Sequence, residues 1–183
     1  RTWGCHRFGI HGLELLEPRA LLSSATLQPP RIFSGGEYPQ SGFFDDLARR
    51  YRAPGDFAQA YVLGHEVGHH VQTLTGTAGA IRRAQGGARG AEANALELRM
   101  ELQADCYAGV WAARERGAME PGDLEEGMTA AAAIGDDRLQ RAGQGHVAPE
   151  SFTHGTSAQR QEALMRGYNG ANPAACEGYN ARL

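Results

Sequence analysis

The sequence predicts a mainly α chain, and three observations carry that prediction. One long stretch, 91–116, is rich in Ala, Leu, Glu, Met and Arg, all strong helix formers, and stops near Gly117. Pro-Gly-Asp occurs at 54–56 and again at 121–123, each time as a turn that doubles as a helix start. Few strand signals follow residue 40. Apolar residues make up 42% of 183, enough to bury a core in one domain.

Residues 1–41 read as an irregular segment, with Pro18, Pro29, Pro30, Pro39 and a Gly-Gly pair at 35–36. Residues 42–183 form the domain. A short helix is expected over Phe43–Tyr51, where Phe43, Phe44, Leu47 and Tyr51 fall near one face. Asp56 is the expected N-cap of a helix from Phe57 to about Leu74, with Gln59 three residues on completing a capping box. Gly76–Gly90 holds five glycines and three arginines and reads as a mobile loop. A second long helix covers Ala91 to about Arg116, and a third runs from Asp123 to about Ile134. A loop over Gly143–Gly155 leads to a fourth helix at about Ser157–Gly167, and the tail is loop-like.

Charge narrows the function. The chain carries 18 basic and 21 acidic residues, a net charge of -3, and every basic residue is Arg. No broad positive field exists to draw in nucleic acid. The longest apolar stretches fall far short of the roughly 20 residues that span a bilayer, and no signal peptide is evident. Three cysteines, Cys5, Cys106 and Cys176, lack Cys-x-x-Cys spacing, which argues against a sulfur-based zinc knuckle. Cys106 is either paired with Cys176 or a buried thiol.

The chemistry is concentrated at His65-Glu66-Val67-Gly68-His69. Residues four apart share a helical face, so both imidazoles can reach one zinc ion at about 2.0–2.1 Å. Glu66 is offset by about 100° and suits the proton of an attacking water better than the metal. Catalytic zinc takes three protein ligands and keeps a position for water. The second long helix supplies Glu101-Leu102-Gln103-Ala104-Asp105. Glu101 is the expected third ligand. Asp105, one turn on, is placed to accept the other ring N–H of a ligating histidine and fix its tautomer. Ala104 is small enough for close helix packing.

His70 points about 100° away from His69 and reads as a packing or supporting residue. Arg160 reads as half of a structural ion pair, with Asp136 or Asp137 as candidate partners and a substrate carboxylate as the alternative. Met100, Tyr107 and Trp111 fit a helix core.

Segments 54–72 and 101–111, with Gly135-Asp136-Asp137 and 151–160, resemble the bacterial predicted neutral zinc metallopeptidase family. The resemblance covers about residues 42–180 and extends to the gluzincin peptidases, in which a Glu on a second helix completes the site. It implies a zincin-like helical domain with a short N-terminal β portion. It also implies one zinc ion on His65, His69 and Glu101, Glu66 as catalytic base, and a peptide or protein substrate. Related enzymes use a downstream His or Tyr to steady the oxyanion, which makes His154 the candidate and His146 a weaker one. Family members carry a membrane anchor and lie in or beyond the cytoplasmic membrane. The expectation here is a cell-envelope or extracytoplasmic place, with a membrane link only through an anchor absent from this chain. Residues 29–36 are similar to part of the family's N-terminal region, but its pair of cysteines is missing and residues 1–28 do not match. That departure motivates the alternative reading, a catalytically impaired zinc-binding scaffold.

Overall fold

Four helices carry the architecture of this computed structural model, which describes residues 41–180. The elements in order are α1 (Ser41–Arg49), α2 (Asp56–Leu74), α3 (Thr77–Gln85), α4 (Ala91–Arg114), α5 (Asp123–Ala133), α6 (Asp136–Gln144), a 3-10 turn (Pro149–Ser151), α7 (Ser157–Gly170) and a 3-10 segment (Pro173–Tyr179). No strand occurs among the described residues, so the described chain is mainly α. The expectations for residues 1–40, including the short β portion and Cys5, lie outside them.

The core is built from α2, α4, α5 and α7. Tyr61 and Val62 of α2, Ala108 of α4, Ala130, Ala131 and Ala133 of α5, and Leu164 of α7 are buried together, with Leu47 of α1 against them. Small residues set the spacing. A Cβ on Gly68 would lie 2.9 Å from the Cα and carbonyl oxygen of Ala104. The backbones of α2 and α4 therefore touch at that level, which side chains of ordinary size would prevent. The same holds between α4 and α7, where Gly109 faces the Leu164 carbonyl and Gly167 faces the Cys106 carbonyl.

Three expectations need correction. Gly76–Gly90 is not a continuous loop, since α3 occupies its first half with Ala78 and Ile81 buried. Asp56 does not cap α2. Gly55 holds the cap position at φ 122 with no side-chain cap bond, and the Glu126 carboxylate accepts the Phe57 N–H at 3.2 Å instead. That satisfies one of the four unpaired N–H groups of the first turn. The tail is also more regular than expected, a 3-10 segment tied by a disulfide between Cys176 and Cys106. A short helix, α6, fills the stretch between the third and fourth expected helices. At α7, Thr156 and Gln159 form a capping box.

Candidate metal centre

Two helices bring the motif residues to one point. His65 and His69 project from the same face of α2, and Glu101 reaches them from α4 across the Gly68–Ala104 contact. His65 Nε2 lies 3.3 Å from Glu101 Oε2, His69 Nε2 lies 3.2 Å from Glu101 Oε1, and the two Nε2 atoms are 3.0 Å apart. A tetrahedral zinc ion with ligands at about 2.0–2.1 Å has ligand-to-ligand edges of about 3.3 Å. Each imidazole lies at about that edge from one of the two carboxylate oxygens, and each residue offers a ligand atom within 4.8 Å of the others, so the residues present fit a zinc ion. His65 and Glu101 are buried, while the His69 side chain is 26% exposed. The group opens to solvent on the His69 side. Glu66, the residue after His65, is half-buried.

Asp105 stands behind His65. Its Oδ1 lies 2.8 Å from His65 Nδ1, so the ring donates Nδ1–H backwards and turns Nε2 towards Glu101. The Tyr61 hydroxyl donates to the same oxygen at 2.6 Å. Arg160 donates Nε to Asp105 Oδ2 at 3.0 Å and Nη2 to Oδ1 at 2.9 Å. Burial alone would raise the pKa of Asp105, but Arg160 and then His65 outweigh it and hold the carboxyl below its usual range. Burial likewise opposes charge on His65, yet Asp105 and Glu101 push it up to about 9. Glu101 sits well below the usual carboxylate range: the bonds from His65 and His69 overcome the cost of burial.

A family model described as "Putative neutral zinc metallopeptidase" matches residues 35–179. The chain belongs to that family. It is 52% identical over 151 residues to "Uncharacterized protein YpfJ" of Escherichia coli (strain K12), covering 81% of this chain and 53% of that protein. It is 43% identical over 157 residues to "Uncharacterized protein Rv2575" of Mycobacterium tuberculosis (strain ATCC 25618 / H37Rv), covering 79% of this chain and 52% of that protein. The chain thus spans about half the length of the curated relatives it matches. No solved structure matches it.

In this member of the family the remaining candidates fall in different places. Arg160 is 2% exposed and committed to Asp105, which corrects both the Asp136/Asp137 partner and the substrate-carboxylate reading. Asp136 instead clamps the loop before α7. Its Oδ2 accepts the backbone N–H groups of Thr153, His154 and Gly155 at 2.8, 2.7 and 3.1 Å. Asp137 accepts from the Ser157 N–H and hydroxyl. Gly155, at φ +92, is pressed against Leu98 and Leu102 of α4, which flank Glu101 in sequence. The His154 side chain is 52% exposed and bonds Thr153 and Asp136, not the His65–His69–Glu101 group. His146 is exposed and meets the Gln144 carbonyl. His70 is half-buried, and Trp111 stacks on Phe57 with ring centroids 6.0 Å apart.

Sequence reasoning missed Tyr61, Gln72 and Gln103. Helical spacing offers a signal for two of them, because Tyr61 lies four residues before His65 and Gln72 three after His69. Among the described residues no helix is long and apolar enough to cross a membrane.

Proposed function

We propose that this protein is a zinc-dependent peptidase in which His65, His69 and Glu101 hold one zinc ion and Glu66 is the general base. The carrying observation is the convergence of three residues, each offering a ligand atom within 4.8 Å of the others, from two helices packed backbone to backbone. Among the described residues this group offers three protein ligands, the number that leaves a zinc position for water or substrate. When bound, zinc supplies Lewis acidity, polarising a carbonyl and lowering the pKa of water towards about 7.

The protein's own groups do the rest. Glu66 takes the proton of the attacking water and delivers it to the leaving amine. Asp105 keeps His65 in the tautomer that presents Nε2. His154 is the candidate donor to the carbonyl oxygen as negative charge develops there. Its support is the loop clamped by Asp136 and seated against Leu98 and Leu102 of α4. The substrate is a peptide or protein, as the family implies. An extracytoplasmic place is supported by the Cys106–Cys176 disulfide, a bond that persists in oxidising compartments.

The test is Glu66→Gln in the zinc-loaded protein, with an unfolded protein such as casein as substrate. The expected result is full zinc occupancy with hydrolysis lost. Cleavage equal to the parent's, or parental cleavage that survives chelation, overturns the assignment. Stoichiometric zinc in a parent that turns over no member of a broad peptide library favours the scaffold reading.

A further inference from the structure

A carboxylate meets the Nδ1 of His65, but none meets the Nδ1 of His69 among its hydrogen-bond partners. Its Nδ1 lies 2.8 Å from Gln72 Oε1, an amide that can either donate or accept. Which way that amide points decides which nitrogen of His69 carries a proton, and the structure contains what settles it.

Gln72 is fully buried. Its Nε2 sits 2.7 Å from the Met100 carbonyl oxygen and 3.0 Å from Gln103 Oε1. Gln103 Nε2 in turn sits 3.2 Å from the Cys176 carbonyl oxygen, and Asn180 Nδ2 donates to Gln103 Oε1 at 2.7 Å. Backbone carbonyls accept and never donate. The Cys176 carbonyl therefore fixes the NH2 end of Gln103, which turns Oε1 towards Gln72. The Met100 carbonyl independently fixes the NH2 end of Gln72. Reversing either amide would set two acceptors against each other in a buried site, each losing a hydrogen bond at a cost of about 1–3 kcal/mol. Both routes leave Gln72 Oε1 facing His69, so Nδ1 is a donor, and in the neutral ring that leaves Nε2 free for a metal.

We propose that Gln72 and Gln103 are positioning residues that fix His69 in the tautomer presenting Nε2 to the metal. The direction of the bonds is anchored at the Cys176 carbonyl, on the segment that the disulfide with Cys106 holds against α4. The two histidines are thus steadied by different means. Asp105 gives His65 a charged partner, while a chain of neutral amides gives His69 a directional one. The inference rests on the proposed zinc site and deepens it.

The test reads zinc affinity, by competition with a chromophoric chelator, rather than proteolysis. Gln72→Met keeps the volume and removes the acceptor, and zinc should bind roughly 10–100-fold more weakly. Gln72→Glu keeps an acceptor for Nδ1–H but sets its second oxygen against the Met100 carbonyl and Gln103 Oε1, so it should recover part of that loss, whereas a purely packing role predicts no recovery. Gln103→Leu should weaken zinc binding as well. Opening the disulfide by Cys106→Ala with Cys176→Ala should weaken it in the parent background and add little in the Gln103→Leu background.

A folded Gln72→Met that binds zinc as tightly as the parent overturns the proposal and leaves the zinc site standing. A parent that binds no zinc overturns both. Should Gln72→Met not fold, nitrogen-15 spectra of the zinc-loaded parent decide. They should show His69 protonated at Nδ1 and metal-bound at Nε2, and the opposite assignment refutes the relay.

Discussion

Arg160 grips Asp105 with two nitrogens, at 3.0 and 2.9 Å, inside a site where Asp105 has no exposure and Arg160 has 2%. The pair joins α7 to α4 directly behind His65. Its parallel N–H···O bonds have the fork geometry that a Lys could not reproduce. Truncating one partner of a buried, hydrogen-bonded pair leaves the other charge uncompensated and costs about 3–5 kcal/mol. Arg160→Met should lower unfolding stability by that order in urea titration, and Arg160→Lys should recover only part of it. A change under about 1 kcal/mol for Arg160→Met would show that the pair is not what holds the helices in register.

Asp105→Asn isolates the carboxylate's effect on His65 from its packing. The shape is kept, but Asn offers one oxygen where Asp105 now receives Tyr61, His65 and both Arg160 nitrogens. A supporting residue of this kind is worth about 10–100-fold in metal affinity. Zinc titration of Asp105→Asn should show a loss in that range, and an unchanged dissociation constant would remove Asp105 from the site.

The crossing of α2 and α4 makes a sharper prediction, because it separates two glycines. Gly68→Ala puts a methyl 2.9 Å from the backbone of Ala104, so the helices must part. Overpacking of this kind costs about 1–3 kcal/mol, and parting also draws Glu101 away from the imidazoles. Gly79→Ala, in α3, meets only the end of the Arg83 side chain at 3.4 Å and removes a flexible residue from a helix. It should raise stability by about 0.5–1 kcal/mol. Thermal melts of the two variants should shift in opposite directions, with zinc affinity falling only for Gly68→Ala.

Those glycines also bear on how much is legible in the sequence. The His65–His69 and Glu101–Asp105 spacings are local facts of a helix, so each half of the candidate site can be read from the order of residues alone. The Arg160 partner cannot, since it lies 55 residues away and depends on how α7 settles on α4. The Gln72–Gln103 chain is hidden for the same reason. α3 escapes a reading that counts the glycines of this stretch as breakers, because only Gly79 falls within it and buried Ile81 supplies an anchor that outweighs its propensity cost. Asp56 has the chemistry of a cap, but the preceding glycine at φ 122 leaves it inside the helix. The acceptor comes from Glu126, 69 residues on from Phe57.

The disulfide predicts a stability loss that loop length sets. Cys106 and Cys176 are 70 residues apart, and closing a loop of that size removes about 4 kcal/mol of unfolded-state entropy in the chain model. Reduction with a phosphine, or the double Cys→Ala variant, should lower stability by up to that amount in urea titration. The α2–α4–α5–α7 core should remain folded. Intact stability after reduction would mean that the 3-10 segment is held by its packing and by the Gln103 and Asn180 amides alone.

Zinc itself should act as a stabilising ligand of the folded chain. A site assembled from α2 and α4 does not exist in the unfolded chain, so binding free energy adds to folding free energy. At a free zinc concentration 100 times the dissociation constant, the gain is about 2.7 kcal/mol. Melting temperature should therefore climb with zinc concentration and fall back on adding a chelator. Glu101→Ala removes the third ligand while leaving both histidines on α2. Its melting temperature should respond to zinc far less than the parent's. An equal zinc-dependent rise in Glu101→Ala would place the ion somewhere other than the His65–His69–Glu101 triangle.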